Sequence, residues 1–221
     1  MEYLVTMTTN VPQGVSEQAV EDVRGREAVR SRQLAAQKHL RRLWRPPLQP
    51  GEWRSLGLFA AADTSQLEQV LASMPLRVWR TDEVTPLGPH PNDPARTTSA
   101  NSTNTTDSAL APRTQTTPEQ TSEKTMEFLT TFTLTVPEGT PSQTVEDTKA
   151  REAHRAHELA PQGHLKRLWT LPGESRTLGL WQAQDATEME SILKSLPLYV
   201  WMSVETTPLT QHPNDPAIAA S

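Results

Sequence analysis

The sequence predicts an α+β protein made of two similar units, and three observations support this prediction. The stretch 26–44 returns in recognisable form at 151–169, so the 221-residue chain contains an internal repeat. Each copy runs through strand-like and helix-like patterns in the same order. A segment rich in Thr, Ser, Asn and Pro, typical of a disordered linker, separates the copies. The expected organisation is a first domain, a linker, a second domain and a tail, at 1–94, 95–125, 126–216 and 217–221.

The first copy opens with a predicted strand over 2–10, where Thr, Val and an aromatic residue alternate weakly with other side chains. Ser16 or a neighbour can cap a helix that runs to about Gln37. Apolar residues such as Val23 and Leu34 fall at helical spacing, which predicts one buried helix face.

Four further elements complete the copy. Strands are predicted over 39–45 and 55–60, followed by a helix over 64–74 that Pro75 ends and by a strand over 76–85. The order strand, helix, strand, strand, helix, strand is the split βαβ, or ferredoxin-like, pattern. The second copy follows the same order, and we expect the two ferredoxin-like βαββαβ domains to form an intramolecular dimeric α+β barrel-like pair.

A glutamate lies on the apolar face of the long helix in each copy. Glu27 comes four residues after Val23 and seven before Leu34, and Glu152 occupies the same place in the second copy. A carboxylate among apolar neighbours has a raised pKa and can exchange protons near neutral pH. Both glutamates are therefore candidate catalytic acid/base residues. The alternative is a structural ion pair between helix and sheet, since such pairs also perturb pKa values.

The basic segment after the helix supplies candidate anion ligands. Strand alternation over 39–45 places Leu40, Arg42 and Trp44 on one face. Arg42 and its counterpart Arg167 can pair with the glutamate of their own copy or hold an anionic substrate through a bidentate contact.

Two more pairs from this segment are candidate substrate-binding residues. Arg41 and Lys166 share the segment but lie on the opposite strand face, so they rank second as anion ligands. Trp44 and Trp169 recur in register between the copies. The two interpretations of these tryptophans are burial in the core and the lining of a pocket.

Histidines also recur in register. His39 and His164 open the second strand of each copy, where an imidazole can shuttle a proton or simply bond to backbone at a strand edge. His90 and His212 lie in the closing phrase His-Pro-Asn-Asp-Pro. We expect these closing segments to be ordered tails that pack against a neighbouring subunit, with a place at a site as the alternative.

Composition excludes several classes of function. The formal charge of -5 argues against a broad nucleic-acid surface, and the absence of cysteine excludes disulfides, thiolate nucleophiles and Cys-ligated metals. No apolar run approaches a membrane span and no secretory signal pattern opens the sequence, so we expect a cytoplasmic protein without membrane or nucleic-acid partners. Without a glycine-rich phosphate loop or a dense metal motif, cofactor-independent proton transfer is the chemistry that these residues best allow.

The motifs together resemble the muconolactone isomerase family over nearly all of both copies. The resemblance rests on the helix segment 149–152, the strand phrases Leu-Arg-Arg-Leu-Trp and Leu-Lys-Arg-Leu-Trp, the turns at 74–76 and 196–198, and the closing His-Pro. Members of that family are single-unit ferredoxin-like proteins that assemble into oligomers. They convert muconolactone, an unsaturated five-membered lactone with a carboxylate side chain, to the enol-lactone of 3-oxoadipate in aromatic catabolism, without metal or cofactor.

The resemblance implies an isomerase, because shifting a double bond in a lactone needs a base to remove a carbon-bound proton and an acid to return one. It implies that Glu27 and Glu152 are that base, and Arg42 and Arg167 are the first choice to bind the substrate carboxylate. We expect a small anionic lactone or enol as substrate, no cofactor, and a homo-oligomer of the fused pair.

Two alternatives stay open. A divergent member can be a cyclase or lyase on a secondary metabolite with the same pocket, or a non-catalytic binding or assembly module, because a fold does not fix a reaction. The copies also differ, for example at Arg45 and Thr170 and in the proline loop, so one site can be active and the other degenerate.

Overall fold

The computed structural model describes residues 1–96, 125–173 and 175–220. Most of the predicted linker, 97–124, lies outside the described residues. The chain divides into two compact units, each discontinuous in sequence. The first unit consists of Met1–Gly88, Thr170–Arg176 and Thr207–Ser221, and the second consists of Pro89–Trp169 and Thr177–Thr206. The closing segment of the second sequence copy therefore belongs to the first unit.

Both copies have the predicted order of elements, and the α+β class is confirmed. The first copy forms β1 Glu2–Thr9, α1 Glu17–Ala36, β2 Leu40–Arg45, β3 Arg54–Ala60, α2 Thr64–Ala72 and β4 Arg80–Pro89. The second copy forms β5 Met126–Leu134, α3 Ser142–Leu159, β6 Leu165–Thr170, β7 Arg176–Ala183, α4 Ala186–Lys194 and β8 Met202–Gln211. Short 3₁₀ helices span Pro75–Trp79, Tyr199–Trp201 and Pro216–Ala220.

The sheet of the first unit is antiparallel and has β1 between β3 and β4. Strand β3 pairs on its other side with β2. The last residues of β8 extend this sheet, because Trp44 lies opposite Gln211 and Arg45 lies opposite Thr210. The end of the chain is thereby tied to the strand that carries the basic segment.

Helix α1 positions the first glutamate. The helix begins after Ser16, whose hydroxyl accepts a hydrogen bond from the Ala19 backbone N–H at 3.2 Å. Its buried side chains recur every three or four residues and are Val23, Glu27, Ser31 and Leu34. This spacing is the period of one helix face, so the predicted inward orientation of Glu27 is what the structure shows.

Each unit has its own apolar core. In the first unit, buried side chains from β1, α1, β2, β3 and α2 form one cluster that includes Tyr3, Val5, Leu34, Leu40, Phe59 and Leu71. In the second, the corresponding elements contribute Phe128, Phe132, Leu159, Leu165, Trp181 and Leu193. Among the helices that the structure describes, none combines the length and apolar character needed to cross a membrane.

The fourth strand begins later than the sequence predicts. The prediction was a strand over 76–85, but Pro75–Trp79 form a 3₁₀ turn and the strand runs over Arg80–Pro89. The proline that opens the turn has no N–H to leave unpaired, and Arg77 N donates to Met74 O at 3.0 Å. The residues 76–79 alternate in the sequence as a strand does, but they form a turn.

Strand β2 also departs from simple alternation. Its pairing register with β3 shifts between Leu40 and Arg42, which is a bulge. Leu40 and Leu43 consequently belong to the same core cluster. The predicted common face of Leu40, Arg42 and Trp44 is therefore wrong for Leu40.

Candidate active site

A cavity of about 230 Å³ opens in the first unit beside the buried face of α1. Its lining combines acids, basic groups, hydroxyls and an indole, among them Glu27, Glu21, Arg24, Arg45, Arg80, His212, Ser31 and Trp53. Such a concave site with a few convergent polar groups is the usual form of a small-molecule pocket.

Glu27 is the buried acid at this cavity and is only 6% exposed. Its Oε2 accepts a hydrogen bond from Leu76 N at 2.9 Å, and its Oε1 accepts one from Arg80 Nη1 at 3.3 Å. Burial raises the pKa of Glu27 above its ordinary value, and the hydrogen bond from Leu76 and the charge of Arg80 offset this only in part. The 3₁₀ turn before β4 thus serves the site, because it presents the Leu76 N–H to the carboxylate.

Arg80 is shared between two carboxylates. Its Nε donates to Asp82 Oδ1 at 2.6 Å and its Nη2 donates to Asp82 Oδ2 at 3.1 Å, and both side chains are 2% exposed. The Asp82 charge raises the pKa of Glu27. Burial therefore keeps the pKa of Glu27 raised although Arg80 is its neighbour, and the Asp82 charge adds to that rise.

Two more arginines give the cavity a positive character. The Arg24 guanidinium carbon lies 5.4 Å from the centre of the Trp53 ring, and its Nη1 is 3.4 Å from Glu21 Oε2. Arg45, at the end of β2, lines the same cavity. The charges of Arg45 and Arg24 both lower the pKa of His212, so both act on the same part of the site.

Ser31 places a hydroxyl at the cavity. The residue is 1% exposed, and its Oγ has no hydrogen-bond partner among the residues that the structure describes. A buried hydroxyl without a partner costs about 1–3 kcal/mol. A polar group of a bound ligand would offset that cost.

The arginines that the sequence singled out have other partners. Arg42 forks onto Asp215, with Nη2 to Oδ2 at 3.1 Å and Nε to the same oxygen at 3.2 Å. Arg167 contacts Asp93 in the same way, with Nε to Oδ1 at 3.2 Å. In the first unit the cation beside the glutamate is Arg80, so the predicted pairing of Arg42 with Glu27 is wrong.

The geometry of β2 explains this difference. Leu43 and Arg45 line the cavity, whereas Arg42 and Trp44 are not among its lining residues. Neighbouring strand residues point to opposite faces of a sheet. Substrate binding by Arg42 and Arg167 stays a prediction.

The remaining predicted residues are not brought to the cavity. Trp44 and Trp169 are buried. The guanidinium carbon of Arg42 lies 4.8 Å from the ring centre of Trp44, and that of Arg167 lies 4.7 Å from the ring centre of Trp169. Arg41 and Lys166 are exposed. Burial favours the core interpretation of the tryptophans, and substrate binding by these four residues stays a prediction.

His39 and His164 bond to the backbone of the neighbouring strand. His39 Nδ1 lies 2.9 Å from Ala60 O, and His164 Nδ1 lies 3.0 Å from Gln182 O. Neither histidine lines the cavity described above. Their catalytic role stays a prediction, and the geometry is that of strand-edge histidines.

His212 is brought to the cavity by the closing segment. Its backbone N–H donates to Leu43 O at 3.2 Å, and its ring Nδ1 accepts from Asn214 N at 3.1 Å. Burial, assisted by the charges of nearby arginines and opposed by Asp215, lowers the pKa of His212 to about 4. His212 thus has the alternative place, at the site of the first unit, and packing of the closing segments against a neighbouring subunit stays a prediction.

Sequence reasoning missed Arg24, Ser31 and Arg80 as residues of this site. Arg80 lies within the predicted strand 76–85 and matched no motif. A usable signal was the difference between the copies, because Arg80 and Asp82 align with Met202 and Val204.

The second unit surrounds its glutamate differently. Glu152 is half-buried, and its Oε2 accepts a hydrogen bond from Leu198 N at 2.9 Å. Burial raises the pKa of Glu152 above its ordinary value. Met202 and Val204 pack against the second apolar core, where the first unit has its buried arginine and aspartate.

Comparison with known proteins identifies the family. The sequence model of the muconolactone delta-isomerase family matches residues 1–93 and 126–215, and the chain belongs to this family of isomerases. It is 32% identical over 74 residues to muconolactone Delta-isomerase 1 of Acinetobacter lwoffii, which is 34% of this chain and 77% of the relative. It is 31% identical over 74 residues to the muconolactone Delta-isomerase of Cupriavidus pinatubonensis, which is 34% of this chain and 80% of the relative.

Solved structures share the fold at low sequence identity. A heme-binding protein from Thermus thermophilus superposes with a TM-score of 0.56 at 11% identity, over 100% of this chain and 95% of that chain. Chlorite dismutase from Candidatus Nitrospira defluvii superposes with a TM-score of 0.56 at 9% identity, over 96% and 92%. These likenesses concern the fold alone.

Proposed function

We propose that the protein is a cofactor-independent isomerase that shifts a carbon–carbon double bond in an unsaturated lactone such as muconolactone, with Glu27 as the acid/base. One observation carries the proposal: Glu27 is a buried carboxyl with a raised pKa at a small cavity that also presents several cations. Membership of an isomerase family supports the reaction class.

The reaction needs one carboxyl group. Ionised Glu27 removes the proton from the ring carbon that carries the side chain, and the electron pair left behind forms the new carbon–carbon double bond. The electrons of the old double bond move to the bond between the next carbon and the carbonyl carbon, and the carbonyl π electrons move onto the oxygen, which gives an enolate. Protonated Glu27 then returns the proton to the carbon next to the carbonyl, so atoms and charge balance. A raised pKa suits this exchange, because both protonation states must be accessible.

The substrate carboxylate binds to the two cavity arginines that are not held between buried carboxylates. Arg80 is held by Glu27 and Asp82. Arg45 and Arg24 line the same cavity and are the proposed carboxylate ligands, because guanidinium groups bind carboxylates in a bidentate way. This assignment replaces Arg42 as the first choice.

An ultraviolet assay of the purified full chain with muconolactone tests the proposal. We expect turnover by the wild type and a loss of about 10²- to 10⁴-fold in kcat for Glu27→Gln, which removes the base. The amide has nearly the same shape as the carboxyl, and circular dichroism checks that the variant is folded. A folded wild type that leaves muconolactone unchanged would overturn this substrate and shift the proposal to a cyclase, a lyase or a binding module.

A further inference from the structure

We propose that His212 is a further catalytic residue of this site, whose ring Nε2–H donates a hydrogen bond to the lactone carbonyl oxygen while Glu27 moves the proton. The inference rests on the proposed function and adds a second chemical group to it. His212 lies in the second sequence copy, so the site would be completed by the far end of the same chain.

The hydrogen bonds of the imidazole determine which nitrogen can donate. His212 Nδ1 accepts a hydrogen bond from the backbone N–H of Asn214 at 3.1 Å, so Nδ1 carries a lone pair. In a neutral imidazole one nitrogen accepts and the other donates. The proton is therefore on Nε2, and the ring presents a donor.

The surroundings keep the ring neutral. Burial and the charges of Arg45 and Arg24 together lower the pKa of His212 to about 4, and the Asp215 charge opposes them. Glu27 and Arg80 are the other buried charged groups that line the cavity. At neutral pH His212 is thus a fixed donor that keeps its proton.

The closing segment holds the ring in place. His212 N donates to Leu43 O at 3.2 Å, and Leu43 N donates to Asp215 Oδ1 at 3.1 Å. Asp215 has no exposed side-chain surface and accepts the fork of Arg42. Two backbone contacts and a buried ion pair therefore fix the segment to β2, and this is the rigidity that a preorganised donor needs.

The two groups come from different parts of the first unit and line one cavity. Glu27 enters from α1, and His212 enters from the segment beside β2. When the base removes the proton, negative charge develops on the carbonyl oxygen. A donor placed there stabilises that charge in the transition state more than in the ground state, and such donors are worth about 10²- to 10³-fold in kcat.

The second unit offers a matched control residue. His90 has the same anchor, because its Nδ1 accepts from Asn92 N at 3.1 Å and Asp93 is held by Arg167. In its unit the position that aligns with Arg80 holds Met202. His90 therefore shares the structural role of His212 without the proposed chemical one.

The test compares four variants of the full chain with muconolactone: His212→Phe, His212→Gln, His90→Phe and His90→Gln. We expect His212→Phe to lower kcat by about 100-fold. His212→Gln should retain a substantial part of the activity, because its amide N–H can donate from nearly the same position. The two His90 variants should stay close to wild type, with circular dichroism and thermal melting as the check on folding.

Each outcome decides between the claims. A folded His212→Phe variant with wild-type kcat overturns the role of His212, while loss of activity in Glu27→Gln would still support the isomerase. Equal loss in His212→Gln and His212→Phe, with both folded, overturns the donor role. If His212→Phe fails to fold, His212→Leu takes its place as the variant without a donor, and a folded His212→Leu with the same kcat as His212→Gln overturns the inference. A folded wild type without turnover removes the proposed function and this inference together.

Discussion

The two helix glutamates have the same hydrogen bond to a backbone N–H, and they differ in the side chains around them. Glu27 and Glu152 each accept a hydrogen bond from a backbone N–H at 2.9 Å, and burial raises the pKa of both. Arg80 stands beside Glu27, and the aligned position near Glu152 holds Met202. The same helix position and the same backbone hydrogen bond are therefore found in two different surroundings.

The difference extends over the side chains around the glutamate. Several positions are polar in the first unit and apolar in the second, namely Thr9 and Leu134, Ser31 and Ala156, Arg80 and Met202, and Asp82 and Val204. In the second unit the rings of Phe132 and Trp181 pack edge to face at 6.1 Å, at positions that align with Met7 and Phe59. The same fold thus supports an ionic arrangement in one unit and apolar packing in the other.

The largest expected difference is in catalysis. Glu27→Gln should lower kcat/KM by about 10²- to 10⁴-fold. Glu152→Gln should leave kcat/KM close to wild type, because the second unit lacks the buried arginine and its aspartate partner. The two variants are assayed side by side with muconolactone. Equal losses of kcat/KM in the two variants would contradict this difference and show that both glutamates contribute to turnover.

The next difference is in stability. Arg80→Met leaves the buried carboxylates of Glu27 and Asp82 without their shared cation, and should lower the free energy of unfolding by about 3 kcal/mol. Adding Asp82→Val recreates the Met202 and Val204 pair of the second unit and should recover much of this loss. Urea unfolding at pH 7 measures both. A double variant no more stable than Arg80→Met alone would show that the apolar pair does not suit the first unit.

The pH dependence of kcat/KM should reflect the charges of Arg80 and Asp82 beside Glu27. Protonated Glu27 cannot take a proton, so kcat/KM falls as the pH is lowered through its raised pKa, above the ordinary glutamate value of about 4.3. Arg80 lowers this pKa and Asp82 raises it. Arg80→Met should therefore move the acidic limb to higher pH, and Asp82→Val should move it to lower pH.

Glu152→Gln is the control for this profile and should not move the limb. The contribution of Glu27 to stability changes with pH in the opposite direction to the activity: a carboxyl with a raised folded-state pKa stabilises the fold below its unfolded-state pKa, and that contribution is lost as the pH rises through the folded-state value. A limb that moves the same way in Arg80→Met and Asp82→Val would contradict the assignment to Glu27.

The smallest expected effect concerns Ser31. Its hydroxyl lacks a partner within the described parts of the chain, so Ser31→Ala should leave the free energy of unfolding unchanged or raise it by about 1 kcal/mol. KM for the substrate should rise if a ligand uses the hydroxyl. The reverse change in the second unit, Ala156→Ser, should be destabilising. A clear loss of stability in Ser31→Ala would mean that the hydroxyl is satisfied.

Much of the fold was predictable because its signals are local. Helical spacing identified the buried face of α1 and the inward direction of Glu27, and the turn residues marked most of the element boundaries. The motifs shared with the isomerase family pointed to the same carboxylate. The bulge in β2 and the 3₁₀ turn before β4 were missed, because both depend on how a strand is paired.

The candidate site was only partly predictable because its contacts are distant in sequence. Glu27 meets Leu76 across 49 positions and Arg80 across 53, and Leu43 meets Asp215 across 172. Residue types and periodicity determine which side chains point inward. Which inward side chains meet depends on strand register and on the path of the closing segment. The sequence by itself therefore determined the order of elements and the buried acid, and only the tertiary structure decided that Arg80 and His212 share its cavity.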